Sequence, residues 1–116
     1  MNLPKNIESL GKIISFGFGP DVLKGFIPAY LGKISLDSAI EYITSGKDLL
    51  ANVSENDWIV LKKVAKAAKL EISYSHIMHE LEETRPDLWS IILSTPGGPE
   101  WLNRQIYYCR EKLDIK

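Results

Sequence analysis

The chain has 116 residues, 45% of them hydrophobic and 25% charged, and a formal net charge of −1. That length suits one domain able to bury a real core without staples. The composition excludes intrinsic disorder, and the near-neutral balance excludes proteins that hold nucleic acid or anionic membrane by bulk charge alone. Cys109 is the single cysteine, so no disulfide forms within the chain, no multi-thiolate metal site is available, and a reducing, cytoplasmic compartment is expected. The N-terminus lacks a basic start followed by a long apolar run, so no signal peptide is expected. No apolar stretch reaches the roughly 18 residues of a membrane-spanning helix.

Helical periodicity recurs along almost the whole chain. Leu3, Ile7, Leu10 and Ile14 share one face of a helix predicted from Pro4 to Ser15, and the glycines of Phe16-Gly17-Phe18-Gly19 end it. Pro20-Asp21, Pro86-Asp87 and Pro99-Glu100 then mark three further helix starts. Proline at the first helical position forfeits no hydrogen bond, and the acid after it meets the positive end of the helix dipole.

The second helix carries Val22, Leu23, Phe26, Ile27, Tyr30 and Leu31, with Pro28 expected to kink or split it. A third is predicted from Ser35 to Gly46, with Leu36, Ala39, Ile40 and Ile43 facing inward, and a turn follows over Asp48–Val53. Ser54-x-x-Asp57 has the spacing of a capping box and opens a fourth helix that runs to Lys69.

Leu70–Tyr74 alternates apolar and polar residues, but no partner strand is evident, and a lone strand would leave its backbone unpaired. A loop is therefore preferred there, leading into a fifth helix capped by Ser73 or Ser75 and ended before Arg85 by the following proline. Pro86–Ser94 is apolar on nearly every side and is expected to be the central buried helix around Trp89. Thr95-Pro96-Gly97-Gly98 is a tight connector, and a last helix runs from Pro99 to Leu113. The fold expected is all-α: a compact, layer-packed bundle of six or seven short helices forming one domain over residues 1–116.

The last helix holds the first candidate site. At about 100° per residue, Leu102, Ile106, Cys109 and Leu113 form its core face, and Trp101, Arg104, Tyr108 and Lys112 a second face roughly 120° away. Trp, Tyr and Arg dominate binding energy at protein interfaces. That face is accordingly read as the site for a protein partner or a second copy of the chain, provided that both rings stay outside the chain's own interior. Cys109 falls on the core stripe, where a thiol is inert packing. No nucleophile elbow, phosphate loop or cofactor-binding pattern occurs, so the principal expectation is a non-enzymatic interaction or regulatory module without a cofactor and without a membrane partner.

Two alternatives rest on the middle of the chain. Lys62, Lys63, Lys66 and Lys69 cluster on one side of the fourth helix, with Ile59 and Leu70 among them, and Val60, Leu61, Val64, Ala67 and Ala68 lie opposite. Val64-Ala65-Lys66-Ala67-Ala68 followed by Ile72-Ser73-Tyr74-Ser75-His76-Ile77 resembles the helix-turn-helix of bacterial repressors, with Lys69 standing where such motifs carry glycine. The resemblance covers about twenty residues and implies nucleic-acid binding. Ser75, His76 and His79 would face the bases and the four lysines the phosphates, although Glu80, Glu82 and Glu83 would repel them. Separately, His76, His79, Glu80 and Glu83 stand at i, i+3, i+4 and i+7. They are weak candidates for a metal, whose capture would imply a metal protein or enzyme built on the two histidines.

Overall fold

Serine hydroxyls set the starts of three helices, in the places the sequence marks. The structure is a computed structural model that describes residues 26–32, 34–69 and 72–115. The helix expected over Pro4–Ser15 and residues 20–25 of the second lie outside these. Helix α1 spans Phe26–Leu31. Helix α2, Leu36–Ser45, is capped by Ser35, whose side chain accepts from the Ser38 amide at 3.1 Å, and it ends at Gly46 in the left-handed conformation (φ 71°) that suits glycine. A 3₁₀ turn follows over Leu49–Asn52, where a turn is expected.

Helix α3, Glu55–Ala68, opens at Ser54-x-x-Asp57 with a serine cap: the Asp57 amide donates to Ser54 Oγ at 3.2 Å, and that hydroxyl donates to the Asp57 carboxylate at 2.6 Å. Helix α4, Tyr74–Thr84, is capped by Ser73 rather than Ser75, and the Pro86 that follows Arg85 ends it. Helix α5 is Pro86–Ser94 and helix α6 is Gly98–Lys112. The described residues are mostly helical and contain no strand. They form six α-helices, α1 to α6, five of them nine or more residues long.

Helices α5 and α6 share the centre of the bundle: α5 packs on α2, α4 and α6, and α6 buries the larger face. Helix α6 buries Trp101, Leu102, Gln105, Ile106 and Cys109, and packs against α2, α5 and the 3₁₀ turn. Helix α5 buries only Leu88 and Ile92, and Leu93 is 56% exposed. Helix α5 touches α2, α4 and α6, with Trp89 and Ile91 packed partly against the core, and its remaining side, including Ser90 and Leu93, faces solvent. Leu36, expected inward, is likewise exposed at the first position of α2.

The α5–α6 connection is close enough to demand glycine twice. Gly97 sits at φ 79°, and a methyl on Gly98 would collide with the Ile92 carbonyl. At the other end of α5, the Arg85 guanidinium pairs with Asp87 at 3.2 Å and donates to the Leu31 carbonyl at 3.2 Å. That contact fastens the end of α1 to the start of α5 and uses a carbonyl that a helix C-terminus leaves unpaired.

Candidate functional site

The second face of α6 exists as a stripe, but the chain folds its own 46–58 segment across it. Trp101 is 1% exposed, against the expectation that its ring stays outside the interior. Its indole Nε1 donates to the Lys47 carbonyl at 2.7 Å. Arg104 pairs with Asp48 at 2.9 Å and also donates to the Gly46 carbonyl, capping the end of α2. Tyr108 is half-buried, edge-on to Trp58 with ring centroids 6.1 Å apart. Lys112 lies over the Tyr108 ring at 5.7 Å and pairs with Glu55, which holds its ammonium protonated above the usual lysine range. All four predicted partner-binding residues are thus brought together, and all four contact the chain itself. The physical reason is α6's central position: a helix with neighbours on two sides buries two faces, and the second is the aromatic one.

Between these contacts lies a polar group that the sequence reading passed over. Gln105 is fully buried. Its Oε1 accepts from the Leu49 amide at 2.8 Å, and its Nε2 donates to Asp48 Oδ1 at 3.1 Å. The Arg104 guanidinium beside Asp48, with help from Gln105, holds that carboxyl below the ordinary aspartate range, although partial burial opposes the shift. The cluster fixes the start of the 3₁₀ turn, where a free amide would otherwise be buried without a partner. The available signal was an amide side chain interrupting the apolar stripe between Leu102 and Cys109. Tyr107, also passed over, is 65% exposed while Tyr108 turns inward.

Helices α3 and α4 carry the second group of predicted residues. Lys63, Lys66 and Lys69 are exposed, and Lys62 is half-exposed with its ammonium 3.9 Å from Asp114. Lys69 adopts the left-handed conformation (φ 54°, ψ 51°) and caps α3, so the position where a repressor motif has glycine does take the backbone that favours glycine. Ser75, His76 and His79 are exposed on α4. Helix α4, however, packs chiefly on α1 and α5 among the described residues, whereas a helix-turn-helix packs its two helices on one another.

Val60 departs from the sequence reading, which placed it on the apolar side of this helix. It is 57% exposed, and Ile59 beside it is 51% exposed. Trp58, Leu61 and Ala65 fill the buried side instead, because a helix lying on the surface of the bundle buries a narrower arc than its apolar residues span.

The four metal candidates do not converge. His76 Nδ1 is 2.9 Å from the Ser73 hydroxyl, and His79 pairs with Glu83 at 3.1 Å. Among the described residues no group of three or more His, Cys, Asp or Glu is arranged to hold a metal ion. Cys109 is fully buried, and burial pushes its thiol well above the usual range, so the thiolate that nucleophilic chemistry needs is suppressed. A shallow, open cleft of about 320 Å³ lies between Tyr74 and the start of α6, lined by Pro99, Glu100 and Asn103. It contains one carboxylate and no nucleophile–base pair. Among the described residues no helix is long and apolar enough to cross a membrane. No protein-family model, curated protein or solved structure matches the chain.

Proposed function

We propose that the chain is a single-domain, non-enzymatic protein-interaction module that docks its partner on the outer face of α3. One observation carries this reading: Ile59 and Val60 are two adjacent large aliphatic side chains, each more than half exposed, on a helix whose opposite side is buried. Aliphatic surface of this kind is removed from water when a partner covers it. The aromatic and cationic face of α6 serves the module by shaping the 46–58 segment that leads into α3, through Trp101, Arg104, Tyr108 and Lys112.

The test places a photo-reactive residue at Asn56, an exposed neighbour one turn before Val60. It should crosslink to a discrete partner in cells, and the double substitution Ile59→Ser, Val60→Ser should abolish that product. The same substitution should change stability by no more than about 0.5 kcal/mol, as at other exposed positions. A crosslink indifferent to the substitution, or none at all, removes the reading.

A second reading has its own observation. The left-handed Lys69 joins two helices that expose Lys63, Lys66, Lys69, Ser75, His76 and His79 in succession. A duplex lying there would be held with steep salt dependence, weakened by Lys66→Ala. Failure to retain duplex DNA at low salt eliminates it.

A further inference from the structure

The arrangement of charge around Ile59 specifies the partner's chemistry. Ile59 lies in line with the lysine stripe, one turn ahead of its first member. Lys62, Lys63 and Lys66 follow at i+3, i+4 and i+7, the positions that share a helix face with residue i. Lys69 closes the stripe at the C-cap. Glu55 is the exposed carboxylate at the opposite end of the helix, and it is engaged by Lys112. The face therefore has exposed aliphatic side chains in its N-terminal half, followed by the exposed Lys63, Lys66 and Lys69 and by Lys62 beside Asp114.

We propose that this face receives an acidic amphipathic helix of another protein, with an apolar residue seated on Ile59 and Val60 and carboxylates set against Lys63 and Lys66. The inference rests on the reading of α3 as a docking face and adds to it the sign and pattern of the partner. Phosphate tracking would engage the same lysines but gives Ile59 and Val60, one turn ahead of them, no apolar contact. A lipid surface suits them less well, since interfacial helices immerse a continuous apolar face and α3 exposes two aliphatic residues ahead of its lysines.

A second copy of the chain is the remaining occupant. On α2 it exposes Leu36 with Asp37 and Glu41, of which Glu41 is already paired with Lys47 at 3.8 Å, and the solution-mass measurement below decides this occupant.

The probe is a fluorescently labelled helical peptide of about four turns, with leucine on one face and glutamate on the flanks. Its counterpart has the same leucines and lysine in place of glutamate. Anisotropy titrations with the whole chain should show the acidic peptide binding at least about tenfold more tightly than the basic one, with affinity falling as salt rises. Ile59→Ser should weaken it by about tenfold. Lys63→Glu with Lys66→Glu should reverse the preference between the two peptides, a readout that a loss of folding would not produce.

Equal binding of both peptides, tighter binding of the basic one, or tighter binding of a DNA duplex than of the acidic peptide overturns the proposal. So does a concentration-dependent rise in solution mass that Ile59→Ser abolishes, which would assign the face to a second copy. If the Asn56 crosslink to a partner persists while the acidic peptide has no advantage, the docking face stands and the partner's charge has been wrongly inferred. If both the crosslink and the peptide fail, the docking face itself is lost.

Discussion

Trp101 in the first turns of α6 donates its indole hydrogen to the backbone carbonyl of Lys47, 54 residues earlier, at 2.7 Å. This bond converts an apparent binding aromatic into a fastener. It satisfies a carbonyl in the stretch between α2 and the 3₁₀ turn, and it seats a ring that is almost fully buried. Trp101→Phe should retain most of the packing and lose the donor, costing about 1–3 kcal/mol of stability if the Lys47 carbonyl is left without a partner. Trp101→Ala removes the ring as well and should cost about 3–5 kcal/mol. Urea unfolding of the two variants separates the terms. A phenylalanine variant as stable as the parent would show that the bond contributes nothing beyond burial.

Gln105 gives a sharper version of the same test because it has no exposed surface. Gln105→Leu conserves volume closely but strands the Leu49 amide in the interior and removes the hydrogen bond to Asp48 Oδ1. The expected cost is about 1–3 kcal/mol. The loss should appear as faster amide hydrogen exchange at Leu49 and Leu50 before it appears elsewhere, since the turn opens locally. Uniform exchange across the chain would mean that Gln105 braces α6 as a whole and not the turn.

Asp48 couples this cluster to pH. Its folded-state carboxyl titrates below the ordinary aspartate value because Arg104 and Gln105 hydrogen-bond the charged form. A carboxyl depressed on folding contributes stability that is fully present above the unfolded value, about 3.9, and is lost as pH falls through the lower folded value. The urea midpoint should thus fall as pH drops below about 4, and Asp48→Asn should flatten that part of the curve. Arg104→Met should flatten it in the same way, because it removes the larger cause. The Asp48–Arg104 pair is substantially solvated, and high salt should reduce the slope. An unchanged acid limb in Asp48→Asn would place the acid sensitivity in other carboxylates.

The limits of sequence reasoning follow from these residues. Start and stop signals act over three or four residues, so Ser35, Ser54, Ser73, Gly46 and Pro86 were readable where they stand, and the helices they bound were found. The core stripe Leu102–Ile106–Cys109–Leu113 was readable for the same reason: periodicity on one helix needs no partner. Contacts across 50 or more residues carry no such local mark. Nothing near Trp101 announces Lys47, and nothing near Gln105 announces Leu49 or Asp48. The contacts that the aromatic face makes with the chain itself, from Trp101 to Lys47 and from Arg104 to Asp48, were therefore not readable. The assignment of Val60 failed for a related reason, since how wide an arc a helix buries depends on where it lies in the bundle. Ile59 was visible within the lysine stripe, but only its exposure turns it from an oddity into a candidate contact.

Cys109 supplies the last prediction. The thiol is fully buried on the core side of α6, and burial raises its pKa far above the solvent value. In the folded protein it should not react with maleimide or a disulfide reagent at neutral pH, and labelling should occur only as fast as the molecule opens. Two substitutions then decide whether the sulfur is there as apolar packing. Cys109→Ala removes one buried heavy atom and should cost about 1 kcal/mol. Cys109→Ser keeps the size but buries a hydroxyl, and should cost more, about 1–3 kcal/mol, unless a neighbouring carbonyl accepts from it. Serine tolerated better than alanine, or rapid labelling without denaturant, would mean that the interior of α6 is wetter and more open than its packing implies.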